Sequence, residues 1–412
     1  MTANPREILD APQVLYMAIE LSSNEWKLGF TTSLGKRPRI RNVAAGGLMK
    51  LKSEIEKAKE LHDLPPDALV ISCYEAGRDA FWLHRCLVSM GVESHIVEPA
   101  SIQVNRRRRN AKTDRIDCQK IVNALIRWKA GDQYACHMIR IPDKAHEDAR
   151  HLNREMRAIK KERTVHVNRI KGLLVAQGCQ FEINSNFPVH LQQAVGGDGK
   201  PLGQRLVQRL LREFDRLRLA TKQIRALQQE QMVLIRKARS AVAQSSAASD
   251  HLDLVTKIAE HLTTLRGIGA VTAWTLSAEI FSWRDIANRR QLAAFVGLVP
   301  TPHASGNEEK EQGISKSGRS DLRVLLIEVA WMWLRYQPES DLAKWYERRF
   351  AKGTSRQRKI GIVAVARKLL VALGRYVRDG EVPSGAELSV SLTTSYLPSL
   401  TAKVTPTQAT AA

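Results

Sequence analysis

Glu20 closes an apolar run in AIELSSNEWKLGF, Glu75 follows a second in VISCYEAGRDAFWL, and Asp114 and Asp117 stand three residues apart in NAKTDRIDCQKI. An i, i+3 pair falls on one face of a helix, so strand ends and a helix face can gather all four carboxylates around one spot. Hard oxygen ligands in that arrangement suit Mg²⁺ or Mn²⁺. Paired ions there can hold a phosphate and stabilise charge on the entering and leaving oxygens. The run Arg106-Arg107-Arg108-Arg109, with Lys112 close behind, precedes the two aspartates and sets phosphate grips beside the acids. Each acid also has a plainer account. A strand-end glutamate is well solvated, and acids in the first turn of a helix complement its dipole.

A second set lies in the last third. Leu265-Arg266-Gly267-Ile268-Gly269, followed by Ala270-Val271-Thr272, has the form of a helix-hairpin-helix core. In such a core Gly267 and Gly269 let the backbone approach a phosphate, and the amides of the next helix receive it. A tight connection between two helices would read the same way. Further on, LAAFVGLVPTPHASGNEEKEQGISKSGRSDLRVLLIEVAWMW reads as apolar helices flanking a polar loop that carries Ser305-Gly306, then Lys316, Arg319 and Arg323. A serine hydroxyl is inert unless it is deprotonated or pressed against an activated phosphate. A metal-bound phosphate would supply that activation, and the basic residues would hold its oxygens. By itself, Ser-Gly is a common turn pair.

Periodicity predicts the elements that must position these residues. Strands are expected over Val14 to Glu20, Glu25 to Thr31 and Arg39 to Val43, then a helix over Leu48 to Leu61. Leu69 to Cys73 follows as a buried strand, Ala80 to Met90 as a helix, His95 to Val97 as a strand and Thr113 to Ala130 as a helix. Three strands, helix, strand, helix, strand, helix is the layout of an RNase H-like (RuvC-like) domain, expected over residues 1–135. Residues 145–245 form a basic helical or coiled-coil region rich in Arg, Lys, Leu and Gln. An insertion near 180–203 interrupts it, with NSNFPVHLQQAVGGDGKPLG reading as loop. Such a helical hairpin suits dimerisation, a nucleic-acid clamp, or simply a solvated basic face. Residues 250–382 read as a mostly helical domain, and 383–412 as a disordered tail rich in Ser, Thr, Ala and Pro. The expected fold class is therefore α/β plus all-α.

Composition narrows the partner. A formal net charge of +22 over 412 residues calls for a polyanion. No apolar run approaches the roughly 20 residues that span a bilayer, and MTANPREILDAPQ lacks the pattern of a signal peptide. The cysteines at 73, 86, 118, 136 and 179 form no C-x-x-C pair, which argues against zinc and fits a reducing cytoplasm. A bacterial, nucleoid-associated cytoplasmic location is expected.

With these residues in order, nearly the whole chain resembles the DEDD-type transposases of a bacterial insertion-sequence family, the bridge-RNA-guided recombinases related to the Piv DNA invertases. The resemblance runs from about Tyr16 to about Gly380. It rests on Glu20, Glu75 and the K-T-D-x-x-D stretch holding Asp114 and Asp117. It rests also on the GIG segment, the F-x-G-L-x-P stretch ending at Pro300, Ser305-Gly306 and the basic G-I-S-K-S-G-R-S-D-L-R. The resemblance implies that the acidic tetrad binds divalent metal and that Ser305 attacks the DNA phosphate to give a phosphoserine intermediate. It also implies that a structured noncoding RNA pairs with donor and target DNA, and that the chains act as homodimers or homotetramers with composite centres. The chain departs from the family at Glu20, where Asp is usual. Two other readings stay open: a RuvC-like structure-specific endonuclease or an invertase working without guide RNA, and a noncatalytic nucleic-acid-binding remnant.

Overall fold

The computed structural model of the chain describes residues 13–102, 114–243, 253–286, 288–305 and 308–389. The chain divides into two compact units, residues 1–142 and 143–412. The first is α/β. Its elements are Val14–Glu20 (β1), Glu25–Thr31 (β2), Arg39–Ala44 (β3), Leu48–Leu61 (α1), Leu69–Glu75 (β4), Ala80–Ser89 (α2), Glu93–Val97 (β5) and Asp114–Lys129 (α3). The strands form one sheet in the order β3-β2-β1-β4-β5. β1 pairs antiparallel with β2 and parallel with β4, which pairs parallel with β5.

Alternation along the central strands divides the core in two. Leu15, Met17 and Ile19 of β1 and Tyr74 of β4 face one side, against Leu51 and Ile55 of α1 and Leu83 and Leu87 of α2. Ala18 of β1 and Ile71 and Cys73 of β4 face the other, against Cys118, Ile121, Val122 and Leu125 of α3. α3 lies close to the sheet because β2 carries Gly29, where a Cβ would stand 3.2 Å from that of Cys118. Both sheet edges are protected. Charged β3 ties Arg39 and Arg41 to Glu54 of α1, at 3.2 and 3.7 Å. Along β5, the segment after α3 adds a bond from Ile139 N to Ile96 O at 2.7 Å.

The second unit opens with Lys144–Val175 (α4) and, after Phe187–Gln192 (α5), Gln204–Ala243 (α6). α4 and α6 are antiparallel: Ile170 and Leu174 pack on Leu210 and Phe214, while Met156 and Ile159 pack on Ile224 and Leu227. Apart from Glu213, buried positions on α6 run Leu210, Phe214, Leu217, Ala220, Ile224, Leu227, Gln231, Ile235 and Ala238. Steps of three and four residues average 3.5, the repeat of a left-handed coiled coil. The intervening segment was expected to be loop, but it folds as a cap. Cys179, Phe187 and Leu191 complete a small core with the ends of both long helices.

The remainder comprises Leu254–Thr263 (α7), Ala270–Leu276 (α8), Arg289–Phe295 (α9), Pro300–Ser305 (β6), Glu308–Ile314 (β7), Ser320–Tyr336 (α10), Asp341–Tyr346 (α11) and Ser355–Asp379 (α12). α7, α8, α10 and α12 enclose a core that includes Trp274, Trp333, Leu326, Leu369 and Leu373. Two expectations need correction here. The polar stretch around Ser305 is not an open loop, because β6 and β7 pair as an antiparallel hairpin. The start of the tail is also ordered: Gln337 Nε2 donates to the Glu387 carbonyl at 2.8 Å and Gln337 Oε1 accepts from Glu387 N at 2.7 Å. Residues 390–412 lie outside the described residues.

Candidate active site

Register brings two of the candidate acids together. Ile19 and Tyr74 are partners in the parallel β1–β4 ladder, so the residues that follow them, Glu20 and Glu75, end adjacent strands side by side. By strand alternation both lie on the face of Ala18 and Cys73, which α3 covers. α3 begins at Asp114, and the Cys118 thiol in its next turn donates to the Lys27 carbonyl at 3.6 Å. Lys27 is the ladder partner of Glu20. The first turn of α3 thus stands over the strand ends that carry the glutamates. Asp117 Oδ1 accepts from Lys120 Nζ at 2.7 Å. The Cys73 thiol on this face is pushed up by burial, with Cys136 and Glu75 adding to it.

The side chain of Asp114, Arg106 to Arg109 and Lys112 lie outside the described residues. Among the described residues, no three His, Cys, Asp or Glu side chains are gathered closely enough to hold a metal ion. The donor set itself fits a hard cation, since it offers carboxylates from two neighbouring strand ends and from a helix start.

Ser305 is the last residue of β6, paired with Glu308 across the hairpin; its side chain lies outside the described residues. The base of the hairpin is clamped by glycine-dependent interlocking. Ser315 N donates to Val299 O at 2.8 Å and Arg319 N to Phe295 O at 3.0 Å. Gly297, Lys316 and Gly318 all have positive φ, at 69°, 56° and 75°. A Cβ at Gly297 would lie 2.0 Å from the Ser317 carbonyl oxygen, and one at Gly318 would lie 2.4 Å from that of Phe295. These glycines are what the F-x-G-L-x-P and K-S-G-R stretches encode.

Arg319 and Arg323 are engaged within this frame. Arg323 Nη1 donates to Val296 O at 3.0 Å. Arg319 donates to Glu279 Oε2 at 2.9 Å and to Asp321 Oδ2 at 2.7 Å. These hydrogen bonds and charges raise its pKa against the opposing effect of burial. Sequence reading missed Glu279. It is fully buried, sits in a π-helical turn over Ser277–Phe281, and also accepts from Asn153 and Arg154 of α4. Its only signal was one acid in the apolar run AWTLSAEIF. Lys316 is exposed. In the α7–α8 turn, Gly267 has φ 91° and packs on Tyr336, where a Cβ would lie 3.2 Å away, whereas Gly269 faces open space.

Among the described residues no helix is long and apolar enough to cross a membrane. Residues 259–345, which contain the helical turn, the hairpin and its clamp, match the family described as Transposase IS116/IS110/IS902. A putative transposase of Sinorhizobium fredii is 39% identical over 381 residues, covering 90% of this chain and 94% of the relative. The transposase of insertion sequence element IS1111A from Coxiella burnetii is 27% identical across 65% of this chain and 68% of its own length. That of IS1328 from Yersinia enterocolitica is 23% identical across 81% and 89%. Kinship at 39% identity over 90% of the chain, together with the family match over the serine hairpin, places this chain in the IS116/IS110/IS902 family of insertion-sequence transposases.

Proposed function

We propose that this transposase cuts and rejoins DNA through Ser305, assisted by a divalent cation on Glu20, Glu75, Asp114 and Asp117, under the guidance of a structured noncoding RNA. The observation that carries the reading is the pairing of Glu20 and Glu75 at adjacent strand ends on the face covered by α3, whose first turn holds the aspartates. The sheet order β3-β2-β1-β4-β5 supports assigning the first unit to the RNase H-like (RuvC-like) fold. The net charge of +22 and the long basic helices support a nucleic-acid partner, and the guide RNA comes from the family resemblance. Action as a homodimer or homotetramer follows from the family resemblance.

Rejoining DNA without an external energy source requires the broken phosphodiester to be conserved as another phosphoester. In the first exchange Ser305 Oγ bonds to phosphorus and loses its proton to solvent, while the bond from phosphorus to one deoxyribose oxygen breaks and that oxygen is protonated. In the second, the hydroxyl of another DNA end bonds to the same phosphorus, the Oγ–P bond breaks, and the serine regains a proton. The two steps are near-equal in energy. Glu20, Glu75, Asp114 and Asp117 would hold a Mg²⁺ or Mn²⁺ ion, which when bound would neutralise phosphate charge. Glu20 reaches one methylene farther than the aspartate usual in the family and keeps the same donor type. The clamp at Gly297, Lys316 and Gly318 anchors the base of the hairpin whose first strand ends at Ser305.

The test uses labelled DNA, the cognate RNA from the noncoding DNA beside the gene, denaturing gels and mass spectrometry. Ser305→Ala eliminates both recombination and the covalent DNA–protein adduct, whereas alanine at Ser315, Ser317 or Ser320 leaves the adduct on Ser305. Hydrolysis without any adduct in the wild type would instead identify a nuclease. Recombination by Ser305→Ala, or an adduct on another serine, removes the assignment.

A further inference from the structure

The second unit carries a groove that shares Leu298, Pro300, Gly313, Ile314 and Lys316 with the F-x-G-L-x-P and G-I-S-K stretches and otherwise lies outside them. It encloses about 1440 Å³ along one face of α12, with the base of the β6–β7 hairpin and the first turn of α9 also lining it. On α12, Arg356, Ile360, Val363, Arg367, Val371 and Arg375 recur every three or four residues and form one stripe along the groove. Three cations and three apolar side chains are thus interspersed along it. Lys359 and Lys368 flank the stripe, and Arg289, Arg290 and Lys316 add charge from the other elements. Among the described residues no carboxylate lines the groove. Among the described residues, Arg356, Lys359 and Arg367 have no carboxylate partner, whereas Arg375 reaches Glu381 at 3.7 Å. Ile360 is 55% exposed although it lies between these cations.

The lining selects an occupant. Arg356 to Arg375 spans roughly 28 Å of helix, and apolar side chains lie between the cations along it. A duplex turns its bases inward and offers such a stripe only phosphates, whereas a single strand can set its phosphates on the arginines and lysines and its bases against the apolar side chains. Trp345 also lines the groove, with Lys368 Nζ over its ring at 4.7 Å from the centroid. β6 leaves the groove at Pro300 and reaches Ser305 five residues on, roughly 17 Å along the strand.

We propose that this groove binds a single strand of DNA beside the serine hairpin. The proposal rests on the reading that Ser305 acts on DNA, and binding tests it independently of chemistry. Fluorescence anisotropy with the full chain compares a mixed-sequence DNA strand, the same sequence as RNA and the DNA duplex over a salt series. The triple variant R356Q/K359Q/R367Q is expected to lose about tenfold in single-strand affinity at physiological salt, with the salt slope shallower by about 2. Removing the same charge from α1 with K50Q/K52Q/K57Q should leave both unchanged. In the wild type, bromodeoxyuridine-substituted strands should crosslink to Trp345 or to peptides of α12. Unchanged single-strand binding by the groove variant, or crosslinks confined to other elements, overturns the proposal. A groove-dependent preference for RNA or for duplex assigns the groove to that ligand and overturns it equally. Normal recombination by Ser305→Ala with groove-dependent binding intact would remove the serine mechanism and leave the groove.

Discussion

At the scale of single residues, Gly297 is the position where chemistry and backbone constrain each other most. Its φ of 69° is left-handed, and a Cβ there would meet the Ser317 carbonyl oxygen at 2.0 Å and the Arg323 guanidinium at 2.5 Å. Alanine would add about 1–2 kcal/mol of backbone strain to a clash that only movement of the hairpin base relieves. Gly297→Ala is expected to destabilise the chain by roughly 3 kcal/mol in urea unfolding and to lower recombination even where the protein stays folded. A loss below about 0.5 kcal/mol, the range of neutral surface changes, would show that the clamp is not rigid. The sequence marks this glycine but not its reason, because the partners lie some twenty residues ahead and meet it only in the fold. Glu20 and Glu75 were more legible, since an acid after a continuous apolar run marks the end of a buried strand. For Arg319 the sequence shows a cation; that Glu279 and Asp321 engage it depends on tertiary packing.

At the scale of elements, the ion-pair network ties α4, the π-helical turn and α10 together. Glu279 binds Arg154 and Arg319, and Asp321 binds Arg319 and Arg157. Burial pushes the Asp321 carboxyl up, but hydrogen bonds and charge from Arg319, with charge from Arg157, outweigh it and hold it at about 2, below its ordinary 3.8. A carboxyl depressed in the folded state contributes stability above its unfolded pKa and loses that contribution as pH falls through the folded one. Asp321→Asn is therefore expected to cost about 2 kcal/mol near neutrality, and the gap from wild type to close as pH drops from 3.8 toward 2. Equal gaps in melting experiments across that range would refute the linkage. The long helices were readable because apolar residues recur at helical spacing over many turns. The hairpin was not: β7 reads EEKEQGI, with no apolar alternation, and β6 holds prolines at 300 and 302. The cap between α4 and α6 escaped notice because Cys179, Phe187 and Leu191 are too sparse to show a period yet suffice once the helix ends flank them.

At the scale of the whole molecule, charge was the most direct message of the sequence, and it separates two kinds of contact with nucleic acid. A net charge of +22 raises the local concentration of any polyanion, and each neutralised phosphate then adds to the salt dependence. Duplex binding changes by about 0.9 in logarithmic slope for each phosphate contact, and single-strand binding by about 0.7. Arg109 stands five residues before Asp114 in the chain, so Arg106 to Arg109 are expected to grip the duplex that presents the scissile phosphate. Their replacement by alanine should weaken duplex binding for all sequences alike and make the salt slope shallower by three to four, or about 0.9 for each arginine. Choice of site should not change, because phosphate contacts position and base contacts specify. A shift in site preference at unchanged duplex affinity would make these arginines readers of bases. A loss confined to single strands would instead assign them to the ligand expected in the α12 groove.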